Sequence, residues 1–504
     1  RENPYFPIIQ FFFMMLVANQ TRKGDCMMKS IVEEKLVSFK TLEQKVFAYV
    51  CELGRMITQI ILENYDDELA KERDKKAYRD KGKRETSIKT VYGEVEYSRR
   101  VYRTESEDGE AAYIYLLDQA MQMEKIGLIS TNLAEKIALT VTEAPYRVSA
   151  DAISDTCGQT ISHGGVWNLI QQLGERISEE EEYAVQQMEA DQTEGKRAVG
   201  ILFEEMDGVW LRMQDSRHKK APKQEMKVFT MYEGWDADSP KRSSLVNKKM
   251  LAGMEKSGSF HQKREALIEK IYDADEIGQR ILNGDGGSWI KETYDPETIY
   301  QLDRFHIYKE IKKKIRDGVA QDQIREMLEQ KKVDEMLEYI QIYADSIESD
   351  DAKDKGSEKA RELYRYLYNN KEGLLPYQER GIELPEAGEG IVYKNMGVQE
   401  SQNCTTITLR MKHRRMRWSE NGANNMAKAL YRKENRELID TIERYTDGLI
   451  FTMQMEEIIQ TLSAAKAPKK DGKGNPYVEA ITHHMPLLDA MRTASRKAFE
   501  RAFC

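Results

Sequence analysis

Three acidic residues occupy places where chemistry could be built. Asp207 ends the apolar run Ala198–Met206, Asp285 sits in Asn283-Gly284-Asp285-Gly286-Gly287, and Glu400 opens Glu400-Ser401-Gln402-Asn403. Two-metal chemistry on phosphodiesters needs carboxylates converging on one point. They hold divalent ions about 3.5–4 Å apart, activating an attacking oxygen and stabilising a leaving one. Mg²⁺ takes hard oxygen ligands and keeps water, so two or three carboxylates suffice, and Mn²⁺ can substitute. Taken singly, each aspartate is ordinary: Asp207-Gly208 reads as a hairpin turn and Gly284-Asp285-Gly286 as a strand exit. Strand alternation puts Glu205 on the face of Asp207, as a helper. Asp303-Arg304-Phe305-His306 follows, with His306 readable as a core histidine or as support for a site. Glu400 and Asn403 lie one helical turn apart on a shared face. Glu420 is a rival to Glu400 as third acid.

The elements that would position these residues follow from periodicity. Residues 28–70 read as helix, from Ile31, Leu36, Leu42, Val46, Val50, Leu53, Ile57 and Ile61 at mostly helical intervals. A charged stretch, Lys71–Arg84, gives way to alternation over Ser87–Tyr92 and Val95–Tyr102, a hairpin about Gly93. Its Arg99 and Arg100 could make a basic ribbon for DNA or a solvated outer face. Three short helices are expected between Leu128 and Glu179: Asn132–Thr142, Ser149–Thr156, and one capped by Ser162 after the break at Gly158. Helix, glycine turn, helix is the arrangement of a helix-turn-helix DNA reader as well as of any helical hairpin. In the first case Ser162, His163, Trp167 and Asn168 begin the recognition helix. The acidic run Glu179–Glu182 leads out of it.

Between Arg197 and Asp303 the texture becomes α/β. Strands are expected at Ala198–Met206, Val209–Met213, Met226–Tyr232, Arg280–Asn283 and Thr298–Leu302, with helices at His261–Tyr272 and after Ser288. Three strands in a meander, then helix, strand, helix, strand, is the order of an RNase H-like fold. Residues 309 to about 385 carry Ile311, Ile315, Ile324, Leu328, Met336 and Ile340 at helical intervals, an all-helical insertion. Gly397–Arg417 reads as a further helix with a basic exit, where Arg410, Lys412, His413, Arg414, Arg415, Arg417 and Trp418 suit DNA phosphates. Residues 421–504 read as mostly helical, interrupted by the linker Ala467–Pro476.

The bulk numbers constrain the class. At 504 residues the chain holds several domains, and a charged share of 32% against 40% hydrophobic is that of a folded chain. A net charge of -9 argues against a uniformly basic nucleic-acid binder, while leaving room for local basic surfaces. The 5 cysteines (Cys26, Cys51, Cys157, Cys404, Cys504) form no Cys-x-x-Cys pair, which argues against a disulfide framework or thiolate zinc site and fits a reducing cytoplasm. The apolar run Ile8–Ala18 is shorter than the roughly 20 residues a bilayer needs. The chain begins at Arg1, and Met27 or Met28 is a natural start.

Four segments together resemble the bacterial insertion-sequence transposases of the ISLre type, related to Mutator-like DDE transposases. They are Lys89–Arg100, Asn283–Trp289, Leu302–His306, and Gly397–Asn403 leading to Arg410 and Trp418-Ser419. The likeness runs from about Met28 to the C-terminus. It implies that Asp207, Asp285 and Glu400 hold Mg²⁺, two ions, and that Asp303 and His306 are the supporting aspartate-x-x-histidine pair. Glu400 is preferred to Glu420 because Glu-x-x-Asn with Arg410 downstream matches the family's last catalytic helix. The activity implied is cleavage at transposon ends and strand transfer into target DNA. Its partners are terminal inverted repeats, target DNA and at least a second copy of the chain, in the cytoplasm at the nucleoid. A catalytically inactive DNA-binding relative and an RNase H-like nuclease are the alternatives.

The expected fold is multidomain α+β: a leader or read-through over 1–27, helix plus basic hairpin over 28–108, and a helix-turn-helix-like region over 109–195. An RNase H-like core with a mixed five-stranded sheet follows over 196–308 and 390–435, split by the helical insertion 309–389. A helical region, 436–504, closes the chain.

Overall fold

The computed structural model describes residues 38–105, 110–121, 129–214, 222–238, 244–292, 295–347 and 355–446. The expected leader, the first residues of the first helix and the linker Ala467–Pro476 lie outside them. The chain forms two compact units. Of the described residues, one takes Ser38–Ala134 with Ala150–Ile161 and the last two, Tyr445 and Thr446; the other takes Glu135–Ser149 and Ser162–Arg444. No helix among the described residues is long and apolar enough to cross a membrane.

In the first unit, α1 (Phe39–Glu72) begins at Ser38, whose hydroxyl accepts the Thr41 N–H at 3.2 Å. Strands β1 (Arg79–Thr90), β2 (Gly93–Glu105) and β3 (Ala111–Ile114) form an antiparallel sheet in that order, followed by α2 (Leu116–Ala120). The hairpin closes where Thr90 pairs with Gly93, whose φ of +127° is open to glycine. Leu62, Ile88, Val95, Tyr97 and Leu117 form its core. The strand reaches back through Arg79–Arg84, a stretch whose charge hid it, because both of its faces there are exposed.

The next helices are α3 (Thr131–Glu143), α4 (Tyr146–Thr156) and α5 (His163–Glu189). Ser162 caps α5 as expected, accepting from Gly165 N at 3.1 Å. The helix does not stop at its acidic run. Glu181 is buried within it, paired with Lys263 at 2.9 Å and Lys428 at 2.8 Å, so the run is part of a packed face.

The second unit is built on five strands: β4 (Arg197–Arg212), β5 (Lys223–Tyr232), β7 (Lys249–Gly253), β8 (Tyr272–Gly284) and β9 (Ile299–Leu302). The short β6 (Trp235–Asp236) lies outside this sheet. The order across the sheet is β7-β5-β4-β8-β9. The pairs of β4 with β5 and of β5 with β7 are antiparallel, while β4, β8 and β9 run parallel. The mixed five-stranded sheet was expected; its strands differ in one important way. Asp207-Gly208 is not a turn: β4 runs straight through it, with Asp207 opposite Val228 and Gly208 opposite Lys227. The expected second strand, Val209–Met213, is therefore the end of the first. Likewise Ser288 starts no regular helix, only a turn in which Ile290 N bonds Gly287 O at 3.1 Å.

One face of the sheet carries α5, α6 (Ser257–Glu269) and α12 (Glu420–Glu434). Gly174 of α5 lets it cross α12 closely: a Cβ there would lie 2.4 Å from Asn425 Cα. Between α6 and the sheet lies a buried ion network in which Arg280 joins Glu204 at 2.6 Å and Glu265 at 2.7 Å. Paired on both sides, these charges escape the penalty of an isolated buried ion. The opposite face packs Ile201, Phe203, Tyr232, Trp235, Ile281, Tyr377 and Met396.

The stretch expected as an all-helical insertion over 309–389 is helical in its first part, as α7 (Arg304–Lys314), α8 (Gly318–Glu329), α9 (Val333–Ser346) and α10 (Gly356–Tyr368); beyond these it has only the short 3-10 turns Lys371–Gly373 and Tyr377–Glu379. Its core includes Ile311, Ile324, Met336, Ile340 and Leu363. After the two-residue strand β10 (Ile391–Val392) comes α11, which changes pitch along its length. It is α-helical over Gln399–Gln402, π-helical over Asn403–Thr408 and α-helical again over Leu409–Met411. The last described helix is α13 (Leu438–Thr446).

Candidate metal centre

Strand register brings the acids together. Glu205, Asn283 and Gln301 form one row across the three parallel strands, and Met206, Gly284 and Leu302 the next. One residue further on, β4 carries Asp207, β8 gives way to Asp285 and β9 to Asp303. Alternation gives these the same face as the first row. The sequence spells this three times where the parallel pairing ends: Glu205-Met206-Asp207, Asn283-Gly284-Asp285 and Gln301-Leu302-Asp303. The polar row beneath is bonded through. Asn283 donates to Glu205 at 3.1 Å, Gln301 to Asn283 at 3.4 Å, and Gln301 accepts Tyr377 N at 3.0 Å. Carboxyl ends of parallel strands are where open α/β sheets present ligand sites.

Three side chains form the tightest group. Asp207, His306 and Glu400 each offer a ligand atom, all within 4.8 Å of one another. Asp207 is buried, His306 partly so, and Glu400 exposed. His306 reaches the site because Asp303 caps α7, accepting Phe305 N at 2.9 Å, which puts the histidine on the first turn. Its Nε2 lies 3.9 Å from Asp207 Oδ1. Sequence reasoning gave His306 a supporting part, but the geometry puts it in the innermost group. Asp285 stands further out, with its Oδ1 accepting Gly287 N at 2.8 Å in its own loop.

Asn403 is where its spacing placed it, donating to Asp207 Oδ2 at 2.7 Å. Gln399, which the sequence did not single out, orients it by donating to its Oδ1 at 2.9 Å. The π-helical segment begins at Asn403 itself, a local widening of the kind that recurs at functional sites.

Glu205 does more than assist Asp207. It is fully buried and accepts the N–H groups of Gly397 at 3.0 Å, Val398 at 3.2 Å and Gln399 at 3.1 Å, together with the Tyr232 hydroxyl at 2.6 Å. The last two of these main-chain donors, on the N-cap Val398 and on Gln399, are otherwise unpaired N–H groups at the start of α11, and Gly397 leads into it. The carboxylate thus fixes the helix that carries Glu400. Burial pushes the Glu205 carboxyl up, and the donors from Gly397, Tyr232 and Val398 oppose that shift.

Electrostatics mark the centre as short of positive charge. Burial pushes Asp207 up to about 6. His306 and the Gly208 N–H pull it down, while the charges of Asp285 and Glu400 push it further up. Burial likewise raises Asp303, against the Phe305 N–H and His306, and with Glu400 and Asp285 adding to the rise. A divalent cation would compensate these charges, so the donor set fits one.

A pH dependence follows. With its pKa raised, folded Asp207 binds a proton between about pH 4 and 6 that the unfolded chain has lost. The folded state then holds more protons, so stability falls as pH rises through that window. Were a cation to bind at this centre, added Mn²⁺ would raise the melting temperature little at pH 5 and clearly at pH 7.5, and release protons near pH 6. Equal shifts at both pH values would contradict it.

The remaining candidates separate into two kinds. Arg99 is buried against Asp118 at 2.6 Å, with its guanidinium 3.9 Å from the centre of the Tyr115 ring. Arg100 pairs with Asp66 at 2.8 Å and Asp67 at 2.6 Å. Both arginines of the ribbon serve its own packing. Arg410 is buried too, donating to Val141 O at 2.6 Å between the rings of Tyr146 and Trp418. Trp418 is buried, its indole N–H on Met411 O at 2.9 Å. By contrast His163, Trp167 and Asn168 are exposed at the start of α5, beside the capping Ser162. Lys412, His413, Arg415 and Arg417 are exposed just after α11. The side chain of Arg414 lies outside the described residues. Glu420 accepts from Gln224 at 3.1 Å at the start of α12. Gln224 is four residues along β5 from Val228, the partner of Asp207, which is about 13 Å of strand. Glu420 is therefore at another part of the sheet.

A family model described as "Uncharacterised protein family (UPF0236)" matches residues 32–443. A UPF0236 protein in the vanSb 3′ region of Streptococcus gallolyticus is 27% identical over 344 residues, 67% of this chain and 70% of its own. A UPF0236 protein of Caldanaerobacter subterraneus subsp. tengcongensis is 25% identical, covering 75% of this chain and 73% of its own. Its name joins eleven gene designations. Another from the same organism, joining four, is 25% identical over 80% of this chain and 78% of its own.

Proposed function

We propose that this chain, which belongs to the UPF0236 family, is a DDE-type transposase of RNase H-like fold that cuts DNA at transposon ends and joins them to target DNA. What carries the reading is the convergence of Asp207, His306 and Glu400 within 4.8 Å, where the parallel pairing of β4, β8 and β9 ends. The strand order, three antiparallel and then two parallel, is that of RNase H-like cores, and a helical block precedes Glu400 as in Mutator-like transposases. One relative whose name joins eleven gene designations in one genome is what an element that copies and moves would leave.

Asp207, Glu400 and His306 would hold a divalent cation, with Asp285 beside them. An imidazole among carboxylates favours Mn²⁺ over the oxygen-seeking Mg²⁺. A bound cation would polarise the scissile phosphate and lower the pKa of water. The chain's own residues do the rest. Asn403 fixes the orientation of Asp207, and Glu205 fixes the helix of Glu400. The exposed Lys412, Arg415 and Arg417, one helix end away, neutralise backbone phosphates. His163, Trp167 and Asn168 on α5 form a face for base or phosphate contact, the helix-turn-helix part of the proposal. Cutting two ends together requires at least two copies of the chain.

The test is to incubate the purified chain with a duplex bearing the inverted repeats that flank its gene, with Mn²⁺ or Mg²⁺, and then with a supercoiled target. Cleavage at the repeat end followed by joining supports the reading. Binding without cleavage makes the chain an inactive DNA-binding relative, and cleavage without joining makes it a nuclease. Glu420→Gln should cut at the wild-type rate, within about twofold; a loss beyond tenfold would return Glu420 to the site.

A further inference from the structure

The helical insertion grips the loop that carries Asp285. The Tyr366 hydroxyl, on the last turn of α10, donates to the main-chain O of Asp285 at 2.9 Å. Asn370, two residues past that helix, donates to Tyr366 O at 2.7 Å and lies against Gly286, where a Cβ would come within 3.0 Å of its amide. Lys291, at the far end of the loop, donates to Asn369 O at 3.3 Å. From below, Tyr300 donates to Gly284 O at 3.2 Å and Asp303 N to the same oxygen at 2.8 Å. Gly286 itself has a φ of +90°, so the loop holds a backbone shape that few other residues adopt.

The bonds onto Asp285 O and Gly284 O and the packing of Asn370 on Gly286 fall on the loop's main chain, and among the described residues no bond from the insertion reaches the Asp285 carboxylate. Among the described residues, the one hydrogen bond to that carboxylate comes from Gly287 N within its own turn, and a side-chain rotation breaks it. A loop of two consecutive glycines, Gly286 and Gly287, has little stiffness of its own. Its place one strand over from Asp207 is set from outside.

We propose that Tyr366 is a positioning residue for the metal centre: its hydroxyl, backed by Asn370, holds the Asp285 loop so that the Asp285 carboxylate stays within reach of a cation at Asp207 and Glu400. The insertion thereby controls the second acid of the site. This rests on the cation site of the proposed function. Tyr366 touches neither cation nor DNA and acts through Asp285 alone, which gives it a signature that a general loss of packing lacks.

The experiment is a double-mutant cycle on the full chain, with Mn²⁺ affinity read by calorimetric titration and melting in EDTA as control. Tyr366→Phe should weaken Mn²⁺ binding about fivefold, the effect of one lost hydrogen bond, with melting unchanged. Asp285→Asn should weaken it by itself, and adding Tyr366→Phe to Asp285→Asn should cost nothing more. Asn370→Ala should follow Tyr366→Phe. Wild-type affinity in Tyr366→Phe overturns the proposal, as does an equal further loss in the Asp285→Asn background. If Asp207→Asn abolishes Mn²⁺ binding while Tyr366→Phe does not alter it, the metal centre stands and only the part given to Tyr366 falls. If the wild-type chain binds no Mn²⁺, both fall together.

Discussion

Asp207→Asn and Glu400→Gln should each lower cation-dependent DNA cleavage by at least about a hundredfold, while leaving the fold as stable as before or more so. The size follows from removing charge where it meets charge developing in a reaction, worth roughly 10²–10³ in rate for a single preorganised group. The stability half of the expectation is specific to this site. Burial holds the Asp207 carboxyl at about 6, so its ionised form costs folding energy at neutral pH. An asparagine has no charge to bury and can still accept from Gly208 or Asn403, the two donors on Asp207. Glu400 is exposed, so its glutamine substitute disturbs no packing. Cleavage of a labelled inverted-repeat duplex, with thermal melting alongside, checks both halves. Wild-type cleavage in either variant removes that residue from the site, and a melting loss of many degrees removes the argument that Asp207 is strained.

Glu205→Ala should have the opposite profile: a large loss of stability, with activity lost as a consequence. Four donors besides Asn283 converge on this fully buried carboxylate. Leaving a buried donor unpaired costs about 1–3 kcal/mol each, less where the chain relaxes, so a total on the order of 4 kcal/mol is expected. In a unit of this size that lowers the melting temperature by roughly 10 °C. Because three of the donors, on Gly397, Val398 and Gln399, are the chain entering α11, the helix start frays and Glu400 loses its fixed place. Glu205→Gln, which keeps one acceptor, should fall between. Differential scanning calorimetry measures the loss, and Mn²⁺ titration at a temperature where the variant is folded measures the effect on the centre. A melting point within 2–3 °C of wild type, on the scale set by about 1 kcal/mol, would show that α11 does not depend on Glu205.

The sequence carried much of the site but little of its internal division of labour. Asp207, Asp285 and Asp303 were legible because each ends an apolar run, and strand alternation tied Glu205 to Asp207. Asp-Gly is also the strongest hairpin signal, and at Asp207-Gly208 it misled. There β5 supplies a partner for every residue through Arg212, and Glu225 lies over Gly208 where a side chain would collide. Pairing along a neighbouring strand outweighed the local turn preference.

His306 could be placed on a helix, but its distance to Asp207 depends on how Asp303 starts that helix, which spacing alone does not give. Arg99 and Arg100 show the same limit from the other side. In a strand, one of two adjacent arginines must face inward, and the counter-charge that makes this tolerable, Asp118, lies outside the hairpin. The part of Glu205 was hidden for a similar reason, since its donors begin at Gly397, 192 residues later.

That separation bears on when the centre can exist. A ribosome adding about 5–20 residues per second spends roughly 10 to 40 s between Asp207 and Glu400. Until α11 emerges, a nascent chain has its sheet strands but no third acid. Glu205 has no main-chain donors yet, and contacts of such long sequence separation are slow to form. On the proposed reading, DNA scission cannot begin before α11 has emerged. Prematurely terminated products that stop within the insertion are inert toward the genome that encodes them.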